Sequence, residues 1–153
     1  MVRHAIMTDV PDIHRLITYH AEYNRMLFRS HADLYEHLRD FFVCVDDRAG
    51  GVVGCTALEL VWRDLAEVKS LAVEDARRGQ GCGTKLVGAA LDEAGRLGLA
   101  RVFALTREQR FFEKLGFRPV PRDTLPHKVW TDCIHCPLRA NCDEIAVVMD
   151  LQP

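Results

Sequence analysis

The hydrophobic and polar positions along this chain change period several times, and each change predicts an element. VRHAI, residues 2–6, reads as a short strand. Thr8 or Asp9 then offers an N-cap, Pro11 suits the first turn of a helix, and Ile13, Leu16 and Ile17 form its apolar stripe. Ser30 is a second N-cap candidate, with Leu34, Leu38 and Phe41 at helical spacing behind it. FFVCVDD reads as a strand, DRAGG as a turn, and VVGCTALEL as the partner strand of a hairpin. AEVKSLAVED is a further strand. After a glycine-rich stretch, Leu86, Ala90, Ala94 and Leu97 share one face of a helix that Gly98 ends, with Val87 and Leu91 beside them. ARVFALT reads as a buried strand, QRFFEKLG as a short helix closed by Gly116, and EIAVVMDL as the last strand. The segment before that strand, with Pro119, Pro121, Pro126 and Pro137, reads as irregular.

Strand, glycine loop, helix, strand is a βαβ crossover, which implies one parallel pair inside an otherwise antiparallel sheet. The expected fold class is α/β: a mixed, mostly antiparallel sheet with helices on both faces and a central parallel strand pair. The length of 153 residues suits one domain, 1–153, with 118–143 as an irregular, cysteine-containing insertion before the last strand. A net charge of −2 gives no broad basic field for nucleic acid or an acidic membrane. No apolar run approaches about 20 residues, and MVRHAIMTDVPDI lacks the apolar core of a secretory signal. The expectation is a cytoplasmic protein with no membrane or nucleic-acid partner and with mostly reduced cysteines.

The stretch RRGQGCGTKL holds three glycines within five residues, between a strand and a helix start. The first N–H groups of a helix lack internal partners, and its dipole favours negative charge there. Glycines let several N–H groups converge on one phosphate, and Arg77 and Arg78 add charge. Gly79, Gly81 and Gly83 do not match the dinucleotide fingerprint, and Thr84-Lys85 is in the wrong order for a Walker A loop. What fits is Arg-x-x-Gly-x-Gly at Arg78, Gly81 and Gly83. Taken alone, the loop could equally be a tight turn without ligand.

EVKSLAV lies before the loop, an amphipathic helix after it, and FFEKLGF one strand later. In this order the sequence resembles the GNAT N-acetyltransferase family, across roughly 2–120 and the last strand. The resemblance implies acetyl-CoA as co-substrate. Arg78, Gly79, Gln80, Gly81, Cys82, Gly83 and Thr84 would cradle its pyrophosphate, and Leu71, Ala72 and Val73 would bind the thioester and pantetheine through backbone groups. Phe111 and Phe112 would flank that arm. MLFRS, VVGCTAL, AEVKSLAV and DTLPHK further resemble the acetyltransferase domain of N-acetylglutamate synthases. That branch implies transfer to the α-amino group of L-glutamate, a step of arginine biosynthesis. Leu27 and Arg29 would meet the substrate, with Lys69 and Lys128 as candidates for its second carboxylate. A guanidinium suits that task because it forks onto a carboxylate with two charge-assisted hydrogen bonds. A homodimer is implied by the resemblance alone.

The match is incomplete. Where the synthases carry Tyr-x-x-Gln-Arg-x-Ser, this chain reads VWTDCIHCPLRANCDE, so either Lys128 and Arg139 substitute or the acceptor differs. A regulatory amino-acid kinase domain is not expected in this chain, nor feedback by arginine through one. Acetylation of another amino acid or small amine, or a non-catalytic acyl-CoA- or metal-binding regulator, are the competing readings.

An ammonium cannot attack a thioester, so a base must take its proton, directly or through water. By resemblance that base is Glu67; a surface glutamate at a strand end is the plain alternative. His20 is a second candidate, against its reading as a helix-surface residue. The carbonyl oxygen gains charge in the transition state and calls for a backbone N–H. Many family members place a tyrosine acid where this chain has Phe112, so that acid is absent and the resemblance leaves water to protonate the leaving thiolate.

Cys133, Cys136 and Cys142 cluster, with His127 and His135 nearby. The Cys-x-x-Cys spacing admits a structural zinc, and it equally admits free thiols or a disulfide. Trp130 reads as an anchor of the same segment.

Overall fold

A computed structural model describes residues 1–126 and 144–151. The chain divides into two compact units, Met1–Glu59 with Val68–Glu93, and Leu60–Glu67 with Ala94–Pro153. The first holds β1 (Val2–His4), α1 (Val10–Glu22), α2 (His31–Glu36), β2 (Phe41–Val45), most of β3 (Val52–Trp62), the later part of β4 (Leu65–Val73) and the start of α3 (Cys82–Arg96). The second holds the early part of β4, then β5 (Arg101–Thr106), α4 (Gln109–Lys114), β6 (Arg118–Val120) and β7 (Ile145–Asp150). Strand order is β1-β2-β3-β4-β5-β7-β6. The predicted parallel pair is β4 with β5, Leu65 opposite Arg101 and Glu67 opposite Phe103. β1–β2, β2–β3, β5–β7 and β6–β7 pair antiparallel.

In the first unit, Phe41, Val43, Cys55, Ala57 and Ala72 form one sheet face against Val10, Ile13, Leu16 and Ile17 of α1 and Leu34 of α2. The opposite face carries α3. A Cβ placed on Gly54 would meet Cys82 Sγ at 2.7 Å and Leu86 Cδ1 at 3.1 Å, so a missing side chain lets the helix lie close. Helices therefore cover both faces of this part of the sheet. Ser70 interrupts β4 with φ of +55°, and the alternation of buried and half-buried residues breaks there.

Three expectations change in detail. Ser30 does cap α2, accepting from the Asp33 N–H at 3.0 Å, but the helix ends at Glu36 and a 3-10 turn (Leu38–Asp40) follows. Phe41 thus belongs to the expected strand, opposite Ala57, and not to the helical stripe, because the aromatic and β-branched run FFVCV favours pairing over another helical turn. Leu97 lies past the end of α3 and is 51% exposed; Gly98, at φ +78°, turns the chain so that Leu99 takes the inward place. Asp9 stands at the N-cap of α1, yet its carboxylate accepts from Arg3 (2.7 and 3.0 Å) and the Ile6 N–H (2.8 Å).

In the second unit Leu65, Phe103, Leu125, Ala146 and Val148 form the core. Residues 118–120, expected to be irregular, pair with β7. Pro119 lacks an N–H, and it is tolerated because β6 stands at the end of the strand order.

Candidate active site

The chain leaves β4 at Val73 and passes through a 3-10 turn (Asp75–Arg77) into the glycine loop. Gly79 and Gly81 have φ of +79° and +86°, and a Cβ on either would meet nothing within 4 Å. Glycine is there for its backbone freedom, and the loop presents open space at the start of α3. The Lys85 N–H already donates to the Gly81 carbonyl, while the N–H groups of Cys82, Gly83 and Thr84 belong to the first turn, which has no intrahelical acceptors. That arrangement fits a pyrophosphate. Of the two arginines, Arg77 is paired with Asp46, whereas Arg78 is exposed and 3.7 Å from Asp75. Cys82 turns its thiol toward the sheet, where burial and Cys44 push it up to about 12. Its contribution to a ligand is therefore its backbone. Leu71 and Val73 are half-buried beside buried Ala72.

Arg29 is held from three sides. Its Nε donates to Asp33 at 2.5 Å, its Nη1 to the Ser70 hydroxyl at 3.2 Å, and its guanidinium lies 5.1 Å from the Phe41 ring centre. The side chain is only 13% exposed. Burial pushes the Asp33 carboxyl up, but its bond to Arg29 and the charges of Arg29, His37 and Lys69 together outweigh this and leave it below the usual carboxylate range. A guanidinium has five N–H donors, so these contacts fix the group while leaving its Nη edge able to meet a carboxylate. Leu27 is 44% exposed, and Phe28 between them is more so. Lys69 sits 2.8 Å from Glu59, so its charge is already balanced.

Glu67 is half-buried on β4 in the second unit, opposite Phe103. Phe112 is buried there, its ring edge-on to Phe111 and to Phe117, both at 5.1 Å. His20 corrects its reading as a surface residue: it is 5% exposed, and both ring nitrogens are engaged. Asp33, Phe41 and Ser70 were missed as partners of Arg29. The Arg29–Asp33 spacing of four residues was a usable helical signal; the turn at Ser70 left none. Lys128, Arg139, Trp130, His127, His135 and the Cys133, Cys136 and Cys142 cluster lie outside the described residues. Among the described residues no group of three His, Cys, Asp or Glu side chains could hold a metal, and no helix is long and apolar enough to cross a membrane.

Residues 37–119, more than half of the chain, match the family model of the acetyltransferase (GNAT) domain. The chain belongs to the GNAT acetyltransferase family. It is 40% identical over 150 residues to an uncharacterized N-acetyltransferase of Chlorobaculum tepidum, covering 98% of this chain and 96% of that one. It is 40% identical over 121 residues to an amino-acid acetyltransferase of Mycobacterium tuberculosis, covering 78% and 69%. It also matches the N-acetylglutamate synthase of Neisseria gonorrhoeae complexed with coenzyme A and N-acetyl-glutamate, at TM-score 0.88 and 28% identity over 100% of this chain and 35% of that one. This GNAT protein is thus an acetyl-CoA-dependent acetyltransferase, and these relatives support acetyl transfer to an amino acid.

Proposed function

We propose that this GNAT protein transfers acetyl from acetyl-CoA to the α-amino group of L-glutamate. The observation that carries the reading is Arg29: an arginine fixed by Asp33, Ser70 and Phe41 is a preorganised fork for a carboxylate. Two relatives support it by what they are, an amino-acid acetyltransferase and a synthase complexed with N-acetyl-glutamate.

In this reading the loop 78–84 holds the pyrophosphate of acetyl-CoA, and backbone groups of Leu71, Ala72 and Val73 hold the pantetheine and thioester. Phe111 and Phe112 flank the arm. Leu27 and Arg29 bind the amino acid, with Lys69 and Lys128 toward its second carboxylate. Glu67 takes the proton from the ammonium, directly or through water, and the freed amine attacks the thioester carbonyl. The oxyanion gains a backbone N–H, the C–S bond breaks, and coenzyme A leaves as a thiolate that water protonates, since Phe112 carries no acid. The Cys133, Cys136 and Cys142 set is kept as a candidate structural zinc site. A homodimer in the cytoplasm, serving arginine biosynthesis, completes the proposal.

One observation favours a different amino acid as acceptor: Lys69 is already paired with Glu59, which weakens it as a partner for a second carboxylate. Mass detection of the acetylated product separates the two, and Glu67→Gln tests the chemistry. That variant is expected to lose turnover by about 10²-fold or more while keeping its affinity for coenzyme A. Unchanged turnover would remove Glu67 from the mechanism.

A further inference from the structure

The start of the glycine loop is held from α1. Three successive residues at the exit of β4 are gripped in turn: the Val73 carbonyl by His20 Nε2 at 2.8 Å, Glu74 by Arg15 at 3.4 Å, and Asp75 by Tyr19 at 2.6 Å and Arg25 at 3.2 Å. Arg25 reaches back because its N–H donates to the His20 carbonyl, and it lies 4.9 Å from the Tyr23 ring centre. Its Nη1 also lies 3.0 Å from His20 Nδ1.

These contacts fix the proton on His20. A guanidinium only donates, so Nδ1 must accept, and the ring proton is left on Nε2. A carbonyl only accepts, so Nε2–H donates to Val73. The two partners demand the same neutral tautomer. The hydrogen bond from Tyr19 to Asp75 likewise keeps the phenol protonated, pushed up to about 12, and holds the Asp75 carboxyl below its usual range.

We propose that His20 is a positioning residue for the coenzyme loop: its Nε2–H tautomer, fixed by Arg25, holds the Val73 carbonyl and sets the direction in which the chain enters residues 77–83. The proposal rests on reading that loop as the coenzyme site. It assigns His20 no part in proton transfer, since both nitrogens are spent on structure.

Glutamine places an amide nitrogen about where imidazole has Nε2, whereas asparagine places an amide oxygen about where it has Nδ1. Titration calorimetry with coenzyme A on His20→Gln, His20→Asn and Gly81→Val tests the assignment. His20→Asn leaves the Val73 carbonyl without its donor and is expected to raise the Kd about tenfold, while His20→Gln stays within about twofold of the parent. With saturating acetyl-CoA both should keep the parental kcat and amino-acid KM, which a general loss of structure would not do. Equal Kd values for the two variants, or a weaker Gln than Asn, overturn the proposal. If Gly81→Val leaves the Kd unchanged, the loop reading itself is wrong; if Gly81→Val weakens binding and His20→Asn does not, only the His20 role fails. Should His20→Asn not fold, ring ¹⁵N shifts of the parent protein decide: a protonated Nε2 and an unprotonated Nδ1 support the proposal, and the reverse overturns it.

Discussion

Gly54→Ala puts the packing under the coenzyme loop to the test. Gly54 faces the first turn of α3, and its missing side chain is filled by its neighbours: an added Cβ would stand 2.7 Å from Cys82 Sγ, 3.1 Å from Leu86 Cδ1 and 3.3 Å from Val73 Cγ2. Carbon and sulfur pack at more than about 3.5 Å, so α3 or the thiol must retreat by nearly 1 Å. Overpacking of this kind costs about 1–3 kcal/mol. Replacing glycine inside a strand would by itself return at most about 1 kcal/mol. With an unfolding entropy of about 2 cal/mol/K per residue, each kcal/mol moves the Tm of a 153-residue chain by about 3 °C. Gly54→Ala should therefore lower the Tm by up to about 9 °C, and it should weaken coenzyme A because Cys82 opens the helix that the loop feeds. Cys82→Ala removes the closest clash, so the double variant should be more stable than the two single losses predict, by about 1 kcal/mol. Thermal melts and a double-mutant cycle give the answer. A Gly54→Ala protein more stable than its parent, or losses that simply add, would refute the packing argument.

Other outcomes follow from the same contacts. Arg29→Ala should raise the KM for the amino acid at least tenfold with little change for acetyl-CoA, measured by initial rates; an unchanged KM removes Arg29 from the acceptor site. Asp33→Asn keeps the shape but loosens the fork, and a smaller rise in the same KM is expected, with Tm close to that of the parent. Asp9→Asn should cost about 1–3 kcal/mol, read by denaturant unfolding, because Asp9 is buried against Arg3 and the Ile6 N–H. Burial pushes the Asp9 carboxyl up, yet Arg3 and the Ile6 N–H leave it lowered. A lowered folded value means that its contribution is present above the unfolded value of about 3.9 and is lost as pH falls through the folded one. The parent should lose this increment in acid, and Asp9→Asn should show a flatter stability profile there.

Periodicity and loop chemistry carried the strand–loop–helix–strand unit, because the apolar stripe of α3 and the glycines at 79, 81 and 83 are local signals. Element ends were less legible. Phe41 sat at helical spacing from Leu34 and Leu38, yet pairing with Ala57 buried it better in the sheet. β6 was hidden because Pro119 argues against a strand everywhere except at an edge. In the candidate site, Arg29 could be singled out by resemblance, but its rigidity could not, since Ser70 and Phe41 reach it only through tertiary structure. His20 was misread for the same reason: one polar residue on a helix gives no sign that a carbonyl 53 positions later will bury it.

The most direct measurement is thiol release from acetyl-CoA by the purified protein, with each amino acid offered separately. Turnover with L-glutamate well above every other amino acid is the predicted result. Turnover that favours a different amine, or none with any, would contradict the proposed acceptor.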